Sequence, residues 1–221
     1  DVRPPRKKLR ERLKAIEEEM RRAGHVAEAP GHAALGRGFL ALGEPDEARR
    51  HLDAAWEAGF RTPETAYALG LTLGQLYQRE LAGLARIANR EERSSRRNSI
   101  EAELKEPSLG YLRASAGAEG VAPEYVRALL ASIEGRHREA IDEARAAFSA
   151  VPWLWEAKVV EGNALVRLGR ERYNAGAYGE ALALYGDARA AFGAAARIGE
   201  SAQPPAAALC TLGRTTLMLE V

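Results

Sequence analysis

Residues 31–43 read Gly31-His32-Ala33-Ala34-Leu35-Gly36-Arg37-Gly38-Phe39-Leu40-Ala41-Leu42-Gly43. Followed downstream, Leu35, Gly36, Phe39, Gly43, Ala48, Leu52 and Ala55 form a template of small and large positions. A shift of 34 residues carries Leu35, Gly36 and Phe39 onto Leu69, Gly70 and Leu73. Further on, Gly135, Ala140, Ala147 and Pro152 repeat the second half of the template. Another shift of 34 residues leads from the slot of Ala128 to Gly162, with Leu165 and Gly169 in register behind it. Gly176, Ala181, Tyr185 and Ala188 then supply a further second half. Self-similarity at this period is the mark of architectures built by stacking one small unit on the next.

The spacing resembles the tetratricopeptide repeat. Leu35-Gly36-x-x-Phe39 with Gly43-x4-Ala48, and Gly135-x4-Ala140-Ile141 with Ala147 and Pro152, carry the resemblance most clearly, and it extends over about residues 30–195. It implies an all-α chain, an α-solenoid of about four stacked antiparallel helix pairs. In such a unit the small positions mark where helices approach most closely. Here they are Gly36, Ala48 and Ala55 in the first repeat, Ala128, Ala140 and Ala147 in the third, and Gly162, Ala181 and Ala188 in the fourth.

The second repeat departs from the pattern. His51-Leu52-Asp53-Ala54-Ala55-Trp56 aligns with Tyr111-Leu112-Arg113-Ala114-Ser115-Ala116 at an offset of 60 residues instead of 34. An insertion over about 78–104 accounts for the excess. Leu76, Leu81, Leu84 and Ile87 continue an apolar face, so the first helix of this repeat is expected to pass residue 90 and stop near Ser94–Asn98. Asn98 followed by Glu101 reads as the cap of a returning helix, and Pro107 as a stop or restart. The second helix is then expected over about 107–117, with Ser108 and Ser115 in the small slots. The fourth repeat carries a shorter insertion of seven residues, about 169–175, and a long second helix ending near Ile198.

The ends carry further helices. Leu9, Leu13, Ile16 and Met20 form one apolar stripe over 4–24, so residues 1–29 read as an amphipathic helix and linker ahead of a 30–200 solenoid. That stripe is a seam for the next helix or for self-association. Residues 201–221, with Leu209, Leu212 and Leu217 after Pro204 and Pro205, read as a terminal helix or part of another repeat. The chain begins at Asp1 without Met and stops at Val221 within an apolar pattern, which reads as a segment of a larger protein.

Composition narrows the function classes. Val, Ile and Thr are scarce beside Ala, Leu, Glu and Arg, which favours helices over strands. A formal net charge of +1 gives no global pull toward nucleic acid or a membrane surface. No apolar run is long enough to span a bilayer. The single cysteine, Cys210, excludes an internal disulfide and fits a reducing, cytoplasmic setting. Arg outnumbers Lys 27 to 5 in an Ala- and Gly-rich chain, a bacterial-looking composition.

Motifs for chemistry are missing from the sequence. Gly36-x-Gly38-x4-Gly43 has no Lys-Ser/Thr behind it and is no phosphate cradle. His25, His32, His51 and His137 show no metal-ligand spacing. No nucleophile elbow or kinase signature is present, so no enzyme activity, cofactor or metal is expected. Trp56, Trp153 and Trp155 read as packing anchors at helix ends. The segment Arg90-Glu-Glu-Arg93-Ser-Ser-Arg96-Arg97-Asn-Ser99 contains Arg-Arg-x-Ser, which is similar to a basophilic kinase site at Ser99 and places basic residues where an acidic partner could meet them.

The repeat resemblance also implies a concave binding surface. Carried over by position, its lining would be Arg37, Tyr67, Leu71, Gln75, Tyr125, Leu129, Ile133, Asn163 and Arg167. Members that clamp a C-terminal carboxylate use basic residues where this chain has Tyr67, Ala68, Tyr125 and Val126, so that clamp is absent. A mixed aromatic, aliphatic and arginine lining suits an apolar peptide or helix of a protein partner. The expected function is a non-catalytic protein-interaction module; the alternative is a regulatory solenoid sensing a ligand or signal peptide. The stretch Gly31–Gly43 also resembles the repeat regions attached to bacterial serine/threonine protein kinases.

Overall fold

The computed structural model describes residues 6–199, and all regular structure in them is helical. The helices are α1 (Arg6–Ala23), α2 (His25–Leu42), α3 (Pro45–Glu57), α4 (Pro63–Gly83), α5 (Arg90–Ile100), α6 (Glu106–Ala114), α7 (Pro123–Glu134), α8 (His137–Ala150), α9 (Trp155–Asn174) and α10 (Tyr178–Gly199). The chain forms two compact units, Pro4–Gly120 and a second from Val121 onward. Leu209, Cys210, Leu212 and Leu217 lie outside the described residues.

Local chemistry sets the helix ends. Pro45, Pro63 and Pro123 open α3, α4 and α7, where the missing N–H costs nothing and the fixed φ suits a first turn. Gly43 and Gly135 end α2 and α7 in the left-handed conformation, with φ of 73° and 81°. After each, the backbone donates back in the same way: Gly43 N–H to Leu40 O and Glu44 N–H to Phe39 O, then Gly135 N–H to Ser132 O and Arg136 N–H to Ala131 O. A side chain at either position would be strained, which is why the template keeps glycine there. Gly176 N–H to Tyr173 O and Ala177 N–H to Arg172 O close α9 by the same pattern.

In the first unit α1, α2, α3 and α4 pack in sequence, and α2 also touches α4. The Leu9–Met20 stripe is covered within the chain. Leu13 is buried against Leu35 and Leu42, while Leu9, Ile16 and Met20 flank it. Gly38 lies under Leu13 and Gly31 under Met20, a displacement of seven residues in opposite directions, as an antiparallel register requires. There is no linker at 25–29: α2 begins at His25 and runs through Pro30.

The same close approach recurs between α2 and α3. A Cβ on Gly36 would meet Leu52 Cδ2 at 2.8 Å and the Ala48 carbonyl oxygen at 3.1 Å. Between α4 and α6, a Cβ on Gly70 would meet Leu112 Cγ at 2.7 Å. The equivalent contact thus survives the insertion. Ser108, fully buried, donates its hydroxyl to Gly70 O at 2.7 Å, which satisfies a polar group that would otherwise be stranded.

The insertion itself departs from expectation. α4 stops at Gly83, followed by a single 3-10 turn over Leu84–Arg86. The new helix starts at Asn89, whose side chain accepts from the N–H groups of Glu91 and Glu92 at 2.9 and 3.1 Å. It crosses Ser94–Asn98 without a break, so Asn98 caps nothing. A π-helical turn over Glu101–Lys105 then joins α5 to α6, with Glu106 N–H donating to Glu101 O. This wider turn precedes Pro107, whose ring would collide with the carbonyl of a regular turn. Ile100, Leu104, Ser108 and Leu112 all point inward at a repeated spacing of four. In a regular helix that spacing drifts by roughly 120° over three steps, and the π turn takes up part of the drift.

In the second unit α7, α8, α9 and α10 pack in sequence, and α7 also touches α9. Ala128 and Ala144, sixteen residues apart like Gly36 and Leu52, are both fully buried. The last hairpin is long on both sides, α9 running to Asn174 and α10 to Gly199. A Cβ on Gly169 would meet the Tyr185 ring at 2.7 Å, at the sixteen-residue separation of Gly36 and Leu52. A Cβ on Gly162 would instead meet the Phe192 ring at 2.5 Å. The separation of Gly162 and Phe192 exceeds that of Gly36 and Leu52 by fourteen residues, seven ahead of Gly169 in α9 and seven after Tyr185 in α10, about two turns in each helix with one unbroken register.

Candidate partner-binding faces

The residues expected to line a binding surface fall on the first helix of each helix pair. In the first unit Arg37 on α2 is exposed, and on α4 Tyr67 and Leu71 are half-buried and Gln75 exposed. Tyr67, Leu71 and Gln75 follow one another at a spacing of four, so they share one stripe of α4. The Arg37 guanidinium adds to the field at Glu64, whose carboxyl is held below the usual range chiefly by the N–H of Glu119 at 3.0 Å. That bond ties the segment after α6 back to the start of α4.

In the second unit Leu129 and Ile133 on α7 are half-buried, and Asn163 and Arg167 on α9 are exposed. Tyr125 differs: it is only 7% exposed, and its ring serves the packing of α7. Leu129 and Ile133, like Asn163 and Arg167, are four residues apart and share a stripe. Each unit therefore carries one adjacent pair of first helices, α2 with α4 and α7 with α9, bearing polar or cationic groups beside partly exposed aliphatic ones.

Ser99 is half-buried in the interior of the continuous 90–114 helix and donates to Glu103 Oε1 at 2.6 Å. Among the tryptophans, Trp56 meets Tyr111 edge-on at 5.0 Å with Arg61 over its ring, as an anchor should. Trp153 does not anchor: it sits in the α8–α9 turn and is 73% exposed.

Polar clusters that the spacing did not announce lie at the helix seams. His32 on α2 and His51 on α3 meet with their Nδ1 atoms 2.8 Å apart. Arg50, which only donates, stands 3.5 Å from His51 Nε2. One of the two Nδ1 atoms donates to the other, the direction set by the tautomers of the two rings. The His51 ring also stacks on Phe39 at 5.3 Å. Burial, then the charges of Arg50 and His32, hold its pKa below the ordinary value. Glu17, Met20 and Leu35 line the cleft beside this pair.

In the second unit Glu161 is 5% exposed and is held by Arg145 at 2.6 Å and Lys158 at 2.7 Å. A shallow cleft beside the α8 N-terminus is lined by Arg136, His137, Arg138, Leu168, Glu171 and Arg172, among others. Its cations are largely spoken for: Arg136 pairs with Glu134 and Glu139, and Arg172 with Glu180 at 3.4 Å. Among the described residues no group of three or more histidine, cysteine or acidic side chains converges as a metal site would. No helix there is long and apolar enough to cross a membrane.

Comparison with known proteins adds little. No family model matches the chain, and no curated protein matches it. A solved structure described as "MamA RS-1 ArsTM double mutant" is similar at 21% identity, over 71% of this chain and 94% of that one, with a TM-score of 0.25. The helical architecture stands on its own packing.

Proposed function

We propose that the chain is a non-catalytic protein-interaction module of the tetratricopeptide type, binding a peptide or helix of a partner protein along its first-helix faces. The observation that supports this reading is the side-by-side placement of α2 with α4 and of α7 with α9, each bearing partly exposed residues. Leu71 with Gln75 and Arg37, and Leu129 and Ile133 with Asn163 and Arg167, mix half-exposed aliphatic surface with hydrogen-bonding groups. That mixture suits an amphipathic segment better than a small polar substrate. The similarity of Gly31–Gly43 to kinase-attached repeats supports a place in a larger bacterial signalling protein.

Selection of a displayed peptide library on the purified chain tests the reading. Peptides enriched on it should lose at least about tenfold in affinity, 1.4 kcal/mol, on a Leu71→Arg, Gln75→Ala variant or a Leu129→Arg, Asn163→Ala variant of unchanged melting temperature. Failure to enrich any peptide, or affinity on both variants equal to that of the unaltered chain, overturns it.

A further inference from the structure

The insertion builds a helical arm that the groove reading leaves without a task. Every residue from Ala88 to Asn98 is exposed, so α5 projects with all its faces toward solvent for more than two turns. Its sequence Arg90-Glu-Glu-Arg-Ser-Ser-Arg-Arg-Asn98 holds no apolar side chain. A helix this short and this polar is marginal by itself. Here it is held from both ends: Asn89 caps it, Glu91 and Glu92 complement the dipole in its first turn, and Ile100 and Leu104 anchor the following turns in the core.

The arm is also held in rotation. Arg96 reaches back to Glu80 on α4 at 3.0 Å. Arg90, Arg93 and Arg97, at i, i+3 and i+7, then share a different face about 10 Å long. Among the described residues Arg90 and Arg97 have neither an ion pair nor a hydrogen-bond partner, and Arg93 has only a 3.5 Å approach to Ile87 O. Elsewhere on this surface arginines are commonly paired, as Arg79 is with Asp46 and Arg127 with Glu143.

We propose that the Arg90–Arg93–Arg97 face of α5 is a second docking surface, and that its occupant is an acidic segment of a partner protein. All the cations from Arg86 to Arg97 are arginines, whose planar forks match carboxylates in paired hydrogen bonds. A row of guanidinium groups at helical spacing meets carboxylates at the same spacing on a facing helix. A nucleic-acid backbone fits less well: Glu91 and Glu92 share the arm, Glu101 and Glu103 follow it, and the chain as a whole carries a net charge of only +1.

The test uses a fluorescent poly-glutamate peptide of about 20 residues and a single-stranded oligonucleotide of similar length as probes, titrated with the whole chain at low and moderate salt. The arm variant is Arg90→Gln, Arg93→Gln, Arg97→Gln. The control, Arg138→Gln, Arg170→Gln, Arg189→Gln, removes the same charge from exposed positions of α8, α9 and α10. The expected result is peptide binding that weakens about tenfold or more in the arm variant and less than about twofold in the control, with unchanged melting temperatures. Equal losses in both variants overturn the proposal, as does absence of peptide binding. Tighter arm-dependent binding of the oligonucleotide overturns it in favour of a nucleic-acid site. Library peptides that fail on the α4 or α7 face variants but still bind the arm variant separate this surface from the groove.

Discussion

Gly36 lies against Leu52 so closely that a methyl group on its Cα would sit 2.8 Å from Leu52 Cδ2 and 3.1 Å from the Ala48 carbonyl oxygen. The leucine could shift, but the carbonyl belongs to the α3 backbone. Gly36→Ala should therefore cost about 1–3 kcal/mol, although alanine is the better helix former. Gly110, inside α6, has nothing within 4 Å of its would-be Cβ. Gly110→Ala should stabilise by about 0.5–1 kcal/mol through helix propensity alone. Urea denaturation of the two variants should give opposite signs; equal signs contradict the close-approach account of the small slots.

The buried carboxylate of Glu161 supports a second prediction. It is nearly sealed from water and satisfied by Arg145 and Lys158. Glu161→Ala would leave Lys158, itself only 19% exposed, without its partner. The expected loss is about 2–4 kcal/mol, little changed by salt because the pair is poorly screened. Arg127→Ala, which breaks the more exposed contact with Glu143, should cost no more than about 1 kcal/mol and less in high salt. Denaturation midpoints at two ionic strengths separate the two cases.

Stability should also fall on mild acidification. Burial first, then Arg50 and His32, keep folded His51 from taking up a proton at the ordinary imidazole value of 6.5. His137 is shifted in the same direction, again chiefly by burial, with Glu171 opposing. Below pH 6.5 the unfolded chain binds protons that the folded chain does not, so stability present above that pH is lost as pH falls toward the folded values. A His51→Gln, His137→Gln variant should show a shallower slope between about pH 7.5 and 5. An unchanged slope would mean that other groups set the acid limb.

The helix pairs and their tight contacts were legible because close approach demands small side chains at fixed spacing. Gly36, Gly70, Ala128 and Gly162 stand out in the sequence for that reason, and each lies at a helix seam. Their partners were less legible where the hairpin lengthened: Gly162 faces Phe192 because both helices of the last pair grew, which periodicity modulo seven does not distinguish from a loop insertion. His32 and His51 are nineteen residues apart and meet only through the α2–α3 turn, so no spacing rule could announce them. Tyr125, expected at a binding surface, is instead taken up by packing, and Trp153 the reverse; a repeat template assigns a slot but not its neighbours' bulk. Asn98-x-x-Glu101 and Asn89-x-x-Glu92 carry the same capping pattern, so the sequence does not choose between them; the side-chain cap forms at Asn89.

That cap yields the last prediction. Asn89 Oδ1 accepts from the backbone N–H groups of Glu91 and Glu92, two of the donors that the arm's first turn leaves open. Among the described residues α5 buries no apolar side chain before Ile100, so the cap carries a larger share of local order here than in a packed helix. Asn89→Ala should cost about 1 kcal/mol locally and fray the helix toward Ile100 while global unfolding, set by the packed core, moves much less. Amide hydrogen exchange should show faster exchange confined to about residues 92–98, with protection at Leu104 and Leu112 unchanged. If the arm stays protected, its helix is held by something other than the cap. If protection falls at Leu112 as well, the arm and the α4–α6 pair unfold together, and α5 is an integral turn of the repeat instead of a projection from it.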